Sequence, residues 1–584
     1  MMPSSLKQYW QLLAIYIRPQ RVRFFSLLAI MVAGIVLKVV NPQIMRYFID
    51  TALGGSPIRD LTLAALAFIG IALLQQVTSV SVTYLGESVA WTATNALRAD
   101  LAGHCLTLDM RFHNQHTPGE LIERIDGDVS EMANFFSQFI ITLVGNSLLL
   151  IGILAVLFQE DWAVGLVFTL FSGAALVALN RLRDIAVKEQ KERRQAEAAL
   201  FGFVEEQLTG TEDIRSSGAV DFSLRELFRL QGNIFRSDRK AQRKGVRVSV
   251  VSLGMLVLGN LLAIIMGYLL YRAGTITVGT VYLYITYLNQ LEAPLWAMTR
   301  QVGTFQTIGA CVERLSDLKK LAPEEDPPPA GQAQLSPGPL SLDFEDVAFA
   351  YHPDDPAIRH VSFQIKPGKV LGLLGRTGSG KTTITRLVFR LYHPDSGHVL
   401  LDGQDVNNFS LPELRQRVGM ITQDVQLFRA SVRDNLTFFD PGIPDEKITA
   451  VLEDLGLGEW LRGLPDGLGA MLLSGGHNLS AGEAQLLAFA RIFLRNPGLV
   501  ILDEASSRLD PATERRIEQA IDRLLRDRTA IVIAHRLGTV ERADDILILE
   551  DGQVSEAGER TRLAGDPGSR YYRLLKTGME EVLA

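Results

Sequence analysis

Cysteine is nearly absent from this sequence: its 584 residues include two, Cys105 and Cys311, far apart and without a C-x-x-C spacing. That scarcity argues against a disulfide framework or a structural zinc site, and both thiols read as small buried residues. A basic excess is also missing. The formal net charge is −7, so nucleic acid, whose phosphates demand clustered Lys and Arg, is not an expected partner. Long apolar runs are missing too, but only from the second half. The first half holds enough of them to raise the mean hydropathy to +0.15, although 21% of residues are charged. A chain of this length exceeds one compact domain, and the uneven hydropathy divides it in two.

Crossing a bilayer takes about 20 mostly apolar residues in helix, because hydrocarbon offers backbone polar groups no water. Phe24 to Val40, Leu61 to Tyr84, Phe139 to Phe158, Trp162 to Leu179 and Val248 to Tyr271 meet that requirement. Val278 to Met298 is a weaker sixth, interrupted by Asn289, Gln290 and Glu292. A membrane helix is favoured there over a soluble amphipathic one, because six spans return the chain to its starting side. The first run is too long for a signal-peptide core and no cleavage site follows it, so it is expected to be retained. Positive charge sets the orientation. Lys7, Arg18, Arg21 and Arg23 flank the first span, and Arg181, Arg183, Lys188, Lys191, Arg193 and Arg194 follow the fourth. Those flanks, and with them the C-terminal half, face the cytosol, while the segments near 46–60, 159–161 and 272–277 face outward. Segments 85–135 and 181–245 are helical in composition, so the membrane helices are expected to continue into the cytosol, with turns at His116-Thr117-Pro118-Gly119 and around Gly210 and Ser216-Ser217-Gly218. Residues 323–339 hold six prolines and read as a linker. The boundaries expected are 1–320 for a membrane domain, 321–339 for the linker and 340–584 for a soluble domain.

In the second half, short apolar runs such as Val370 to Leu374, Leu499 to Leu502 and Ala530 to Ile533 alternate with helical patterns, as in a mostly parallel sheet covered on both faces. The run Gly375-Arg376-Thr377-Gly378-Ser379-Gly380-Lys381-Thr382 follows one strand and opens a helix at Thr383. This is a phosphate-binding loop. Its glycines let backbone N–H groups face phosphate oxygens, Lys381 neutralises charge and the Thr382 hydroxyl suits Mg²⁺. Leu499-Val-Ile-Leu-Asp503-Glu504 ends an apolar strand in two adjacent acids, costly at a central strand tip unless chemistry needs them. Asp503 suits the metal and Glu504 the attacking water.

These motifs resemble the ABC transporter family, specifically exporters that fuse six helices to one nucleotide-binding domain, and the resemblance covers nearly the whole chain. Leu479-Ser480-Ala481-Gly482-Glu483 stands where that family has its signature, commonly LSGGQ. The resemblance implies a Q-loop at Gln423, touching metal and water, a D-loop at Ser507-Arg508-Leu509-Asp510, a switch histidine at His535 and an adenine-stacking Tyr351. It further implies two domains facing head to tail, with Ser480 and Gly482 reaching the ATP held by a partner chain, and tips near 113–118 and 211–217 acting as coupling helices. The fold expected is an all-α membrane domain plus an α/β P-loop ATPase with a helical signature subdomain. The function expected is ATP-driven export, using ATP and Mg²⁺, by a multi-pass protein of the inner or plasma membrane. The short stretch before the first span disfavours an N-terminal peptidase domain.

Three departures bear on pairing. Ala481 replaces glycine, Glu483 replaces glutamine, and Arg508 is bulkier than the usual alanine. With Lys381, Asp503, Glu504 and His535 intact, this suits one half of a heterodimer over a homodimer. The alternatives are a regulatory ATP-binding subunit with little turnover, a homodimeric lipid or drug flippase, and an importer on the same scaffold. The substrate is not legible. Lys38, Asn41, Asn146, Asn180 and Asn260 lie in or at the spans, and helix–helix hydrogen bonding explains the asparagines as well as a transport path does.

Overall fold

The computed structural model describes residue 9 and residues 14–324, 335–352, 355–422, 425–476, 479–503, 511–533 and 540–577. The chain forms two compact units, Met1–Leu106 with Thr117–Leu321, and Thr107–His116 with Ala322–Ala584.

The first unit is helical. Helices Arg21–Leu53, Ile58–Leu106, Gly145–Glu160, Trp162–Thr209, Val220–Arg272 and Val278–Lys320 are its long elements. Side chains at the cap positions explain two breaks. The Asp161 carboxylate accepts from the N–H groups of Ala163 and Val164, and the Thr277 hydroxyl from Thr280 N–H, so the chain turns sharply and restarts. The outward segments are therefore shorter than the sequence suggests. The first helix runs to Leu53 and the second starts at Ile58, leaving Gly55 at positive φ between them.

Among the described residues, five helical stretches are long and apolar enough to cross a membrane: Ala14–Leu53, Ile58–Leu106, Pro118–Glu160, Trp162–Arg181 and Val220–Arg272. They keep large apolar side chains outward, as at Leu73, 65% exposed, which lipid tolerates and water does not. The sixth, Val278–Lys320, falls short on composition because of its polar residues, and it packs inward instead. Leu283, Tyr284, Tyr287 and Leu291 are fully buried, clustered with Ile153, Leu157, Val164 and Phe168.

Among the described residues the second unit contains ten strands: β1 (Leu342–His352), β2 (Asp355–Ile365), β3 (Val370–Gly375), β4 (Ser396–Leu401), β5 (Gln404–Asp405), β6 (Val418–Ile421), β7 (Leu499–Asp503), β8 (Thr529–Ile533), β9 (Asp545–Glu550) and β10 (Gln553–Glu559). A four-stranded sheet runs β2-β1-β4-β5 and a six-stranded sheet runs β10-β9-β3-β8-β7-β6. In the larger sheet β9, β3, β8, β7 and β6 are parallel neighbours. Burial of β3 and β8 along their whole length accounts for their unbroken apolar sequences. Helices Val432–Thr437, Asp445–Asp454, Gly458–Gly463 and Ala481–Arg495 form a helical lobe on one side.

Candidate active site

The carboxyl ends of β3, β8 and β7 lie side by side, where open parallel sheets bind ligands. A cleft of about 870 Å³ opens there, lined among others by Tyr351, Thr377, Gly378, Lys381, Thr382, Asp503 and Ile533. The loop after β3 takes the backbone path only glycine accepts. Gly378 and Gly380 have φ of +84° and +104°, and a β-carbon on Gly380 would lie 2.8 Å from Ala357 O. The following helix starts at Lys381, two residues earlier than the sequence suggests, and no side chain caps it. That end of the helix carries partial positive charge. Lys381 Nζ donates to Gly375 O at 2.7 Å and Arg376 O at 2.9 Å, which pins the ammonium inside the loop. Ser379 Oγ is buried without a hydrogen-bond partner. An orphaned hydroxyl donor within this glycine-rich loop fits a phosphate ligand.

Tyr351 lines the same cleft. Its hydroxyl shares a hydrogen bond with Thr383 Oγ1 at 3.2 Å and accepts one from Arg386 at 3.0 Å. Phe349 and Tyr392 meet its ring edge-on, at 4.9 and 5.2 Å. Tyr392 in turn accepts from Asn114 at 2.6 Å, and Arg111 pairs with Asp395 at 3.1 Å. The short helix Met110–Gln115, capped by Asp109, thus belongs to the nucleotide-binding unit and reaches the aromatic wall through the Tyr392 hydroxyl and through the Arg111 guanidinium, 5.7 Å from the centre of the Phe349 ring. Sequence reasoning missed Tyr392, since an isolated tyrosine after a helix carries no signal.

Ser480 and Gly482 do not line this cleft. They open the helix Ala481–Arg495, where Ser480 and Glu483 form a capping box. The Glu483 carboxylate accepts from Ser480 N–H and from its hydroxyl, both at 2.8 Å. A β-carbon on Gly482 would collide with the Thr513 methyl. Further along that helix, Arg491 is buried and donates to Gln426 O at 3.0 Å and Asn435 O at 2.8 Å. Burial pushes its guanidinium down to about 10. It ties the signature helix to the segment just after the expected Q-loop, another contact that no motif announces. Gln423, Glu504, Asp510 and His535 lie outside the described residues.

Against known proteins, residues 358–507 match the description "ABC transporter" and residues 24–295 match "ABC transporter transmembrane region". An ATP-dependent lipid A-core flippase of Pseudomonas fluorescens is 31% identical, over 99% of this chain and 97% of that protein.

The chain belongs to the ABC transporter family.

A lipid A-core flippase of Vibrio cholerae is 28% identical over 90% of each chain, and an uncharacterised ABC transporter ATP-binding protein of Bacillus subtilis is 26% identical over 97% and 93%. The solved structure of a bacterial Atm1-family ABC exporter with ATP bound superimposes with a TM-score of 0.75 at 23% identity, covering 95% of this chain and 98% of that one. It shares the fold. The protein is an exporter-type half-transporter, a multi-pass membrane protein whose cytoplasmic ATPase domain drives transport.

Proposed function

We propose that this chain is one half of an exporter that moves an amphipathic lipid, and that its partner is a second, different half-transporter. The observation that carries the need for a partner is the separation within the chain: Lys381, Thr382 and Asp503 line the cleft while Ser480 and Gly482 do not. A γ-phosphate in this cleft would meet the signature helix of another chain. The lipid reading is supported by relatives named as lipid A-core flippases that align over nearly all of this chain. The heterodimer reading is supported by Glu483, which places a carboxylate on the Ser480 hydroxyl that would otherwise face that phosphate.

In this reading Tyr351 stacks on adenine, the loop 375–382 with Thr383 holds the phosphates, and Lys381 neutralises charge between them. Thr382 and Asp503 would hold Mg²⁺, and both face the same cleft. That ion supplies charge neutralisation at the transferring phosphoryl group. Glu504 orients the attacking water and accepts its proton, Gln423 and His535 complete the water site, and Asp510 meets the opposite chain.

Two measurements test this. Native mass spectrometry of the tagged complex should give a mass that is not twice 64.4 kDa, whereas a symmetric pair would refute the heterodimer. Vesicles containing the complex should move an acyl-labelled phospholipid between leaflets on addition of ATP. Hydrolysis that no amphiphile stimulates, with no lipid moved, would refute the lipid reading.

A further inference from the structure

Lys38, named above among the polar residues of the spans, has no part in the ATPase site. Lys38 lies inside the helix Arg21–Leu53, eight residues before Arg46, hence about 12 Å deeper along the axis. Arg46 marks the outer rim, where it pairs with Glu160 at 2.6 Å. Lys38 has no ion-pair or hydrogen-bond partner among the described residues. Side chains in a helix lean toward its N-terminus, which for this helix is the cytosolic end, so the ammonium leans away from the outer rim. An intramembrane ammonium without a partner is costly, and such residues mark functional sites by default.

Lys38 lines a cleft of about 100 Å³ between the first three membrane helices. Gln75, Ser79 and Asn146 line it too, and no acidic residue does. Measured from the outer helix ends, Lys38 is 15 residues into Arg21–Leu53, Gln75 17 into Ile58–Leu106 and Asn146 14 into Gly145–Glu160, or about 23, 26 and 21 Å along the three axes. The amide of Gln75 and the hydroxyl of Ser79 have no hydrogen-bond partner among the described residues, and Asn146 uses only its Nδ2, donated to Thr142 O at 2.6 Å. The acids on the helices around it are engaged elsewhere: Asp50, on the same helix as Lys38, with the Thr277 hydroxyl at 2.6 Å and Gly279 N–H at 2.9 Å, Glu160 with Arg46 and Glu87 with the Ser137 hydroxyl at 2.6 Å. Beside the cleft, residues Gln138–Val144 form a π-helix, a wide turn that recurs at functional sites.

We infer that this cleft binds the phosphate of an anionic lipid head group, with Lys38 as counter-ion and Gln75 and Ser79 as neutral hydrogen-bonding partners. The charge and the unpaired polar groups stand on their own. That the ligand is a lipid rests on the lipid-exporter reading above.

The test uses the full chain with its partner in phosphatidylcholine nanodiscs, titrated with acyl-labelled phosphatidic acid. Phosphatidic acid should bind on the order of tenfold tighter than labelled phosphatidylcholine, as expected for a charge-assisted hydrogen bond. Lys38→Met and Lys38→Gln should each abolish that preference, and Lys38→Arg should keep it. An unchanged preference in both neutral variants overturns the site. Displacement of the lipid by inorganic phosphate at matched concentration overturns its assignment to a lipid. Dissociation of the complex in both neutral variants overturns it as well, because Lys38 would then pair with a carboxylate of the other chain. Failure of the two readings is distinguishable. Equal ATP-driven movement of phosphatidylcholine by wild type and Lys38→Met, with no phosphatidic acid preference, removes the site and leaves lipid export. Lys38-dependent binding without any lipid movement does the reverse.

Discussion

The phosphate loop and the signature helix both present a helix N-terminus, yet they are finished in opposite ways. The helix Lys381–Val388 begins after a left-handed Gly380 and has no side-chain cap, which suits a start that holds phosphate. The helix Ala481–Arg495 caps itself twice over, with Ser480 and Glu483 satisfying each other's donors. One start is left open for a nucleotide; the other is stable without one. A phosphate approaching the second must compete with a carboxylate already seated there. Unequal ATP sites follow if the partner chain carries an uncharged signature.

The largest break in this comparison comes from the first of the two. Glu504→Gln should leave ATP binding intact and slow hydrolysis by about 10²–10⁴-fold, because positioning survives while proton acceptance does not. A trapped, ATP-bound closed dimer is the expected species. Turnover near wild type in single-turnover kinetics would remove Glu504 from the role and favour a regulatory subunit.

A smaller effect is expected at the aromatic wall. Tyr351→Ala should raise KM for ATP more than it lowers kcat, since stacking is equal in ground and transition states. The expected loss is about 1–3 kcal/mol, as for base–aromatic stacking in general. The structure complicates this in one respect: the Tyr351 hydroxyl also meets Thr383 and Arg386. Tyr351→Phe separates the two contributions and should retain most of the affinity. If Tyr351→Ala leaves KM unchanged, the ring is simply part of the buried core.

The membrane helices and the sheet were legible for a common reason: each writes its surroundings into the sequence. Lipid on one side or helices on both sides of a strand demand apolar runs, and the glycine path of loop 375–380 admits few substitutes. The sixth expected span, Val278 to Met298, was harder because Asn289, Gln290 and Glu292 dilute its apolar character, while Tyr284 and Tyr287 bury themselves among neighbours. What the sequence concealed are contacts between distant segments. Asn114 to Tyr392 spans 278 positions, and Arg491 reaches back 65 to Gln426, so no local pattern encodes either. Glu483 is the instructive middle case. The sequence marks it as a departure that adds charge, but only the fold shows that charge bonded to the Ser480 hydroxyl.

The smallest expected effect sharpens the comparison most. Glutamine can close a capping box as glutamate does, so Glu483→Gln keeps the helix start and removes its charge. Ala481→Gly removes the methyl at the first helical position. Together they should raise ATP hydrolysis by the chain purified alone about two- to fivefold, the scale of one charge at a helix N-terminus. Glu483→Ala is the control. It removes the charge and half of the box, so any gain in turnover should come with a loss of about 1 kcal/mol in stability of the helix start. Measuring both turnover and thermal unfolding separates charge from capping. Should the chain alone form a two-fold dimer with brisk, lipid-stimulated hydrolysis that the double substitution leaves unchanged, then Ser480 releases Glu483 freely when ATP arrives. The self-capped start would be no obstacle, and a homodimer would need no second kind of chain.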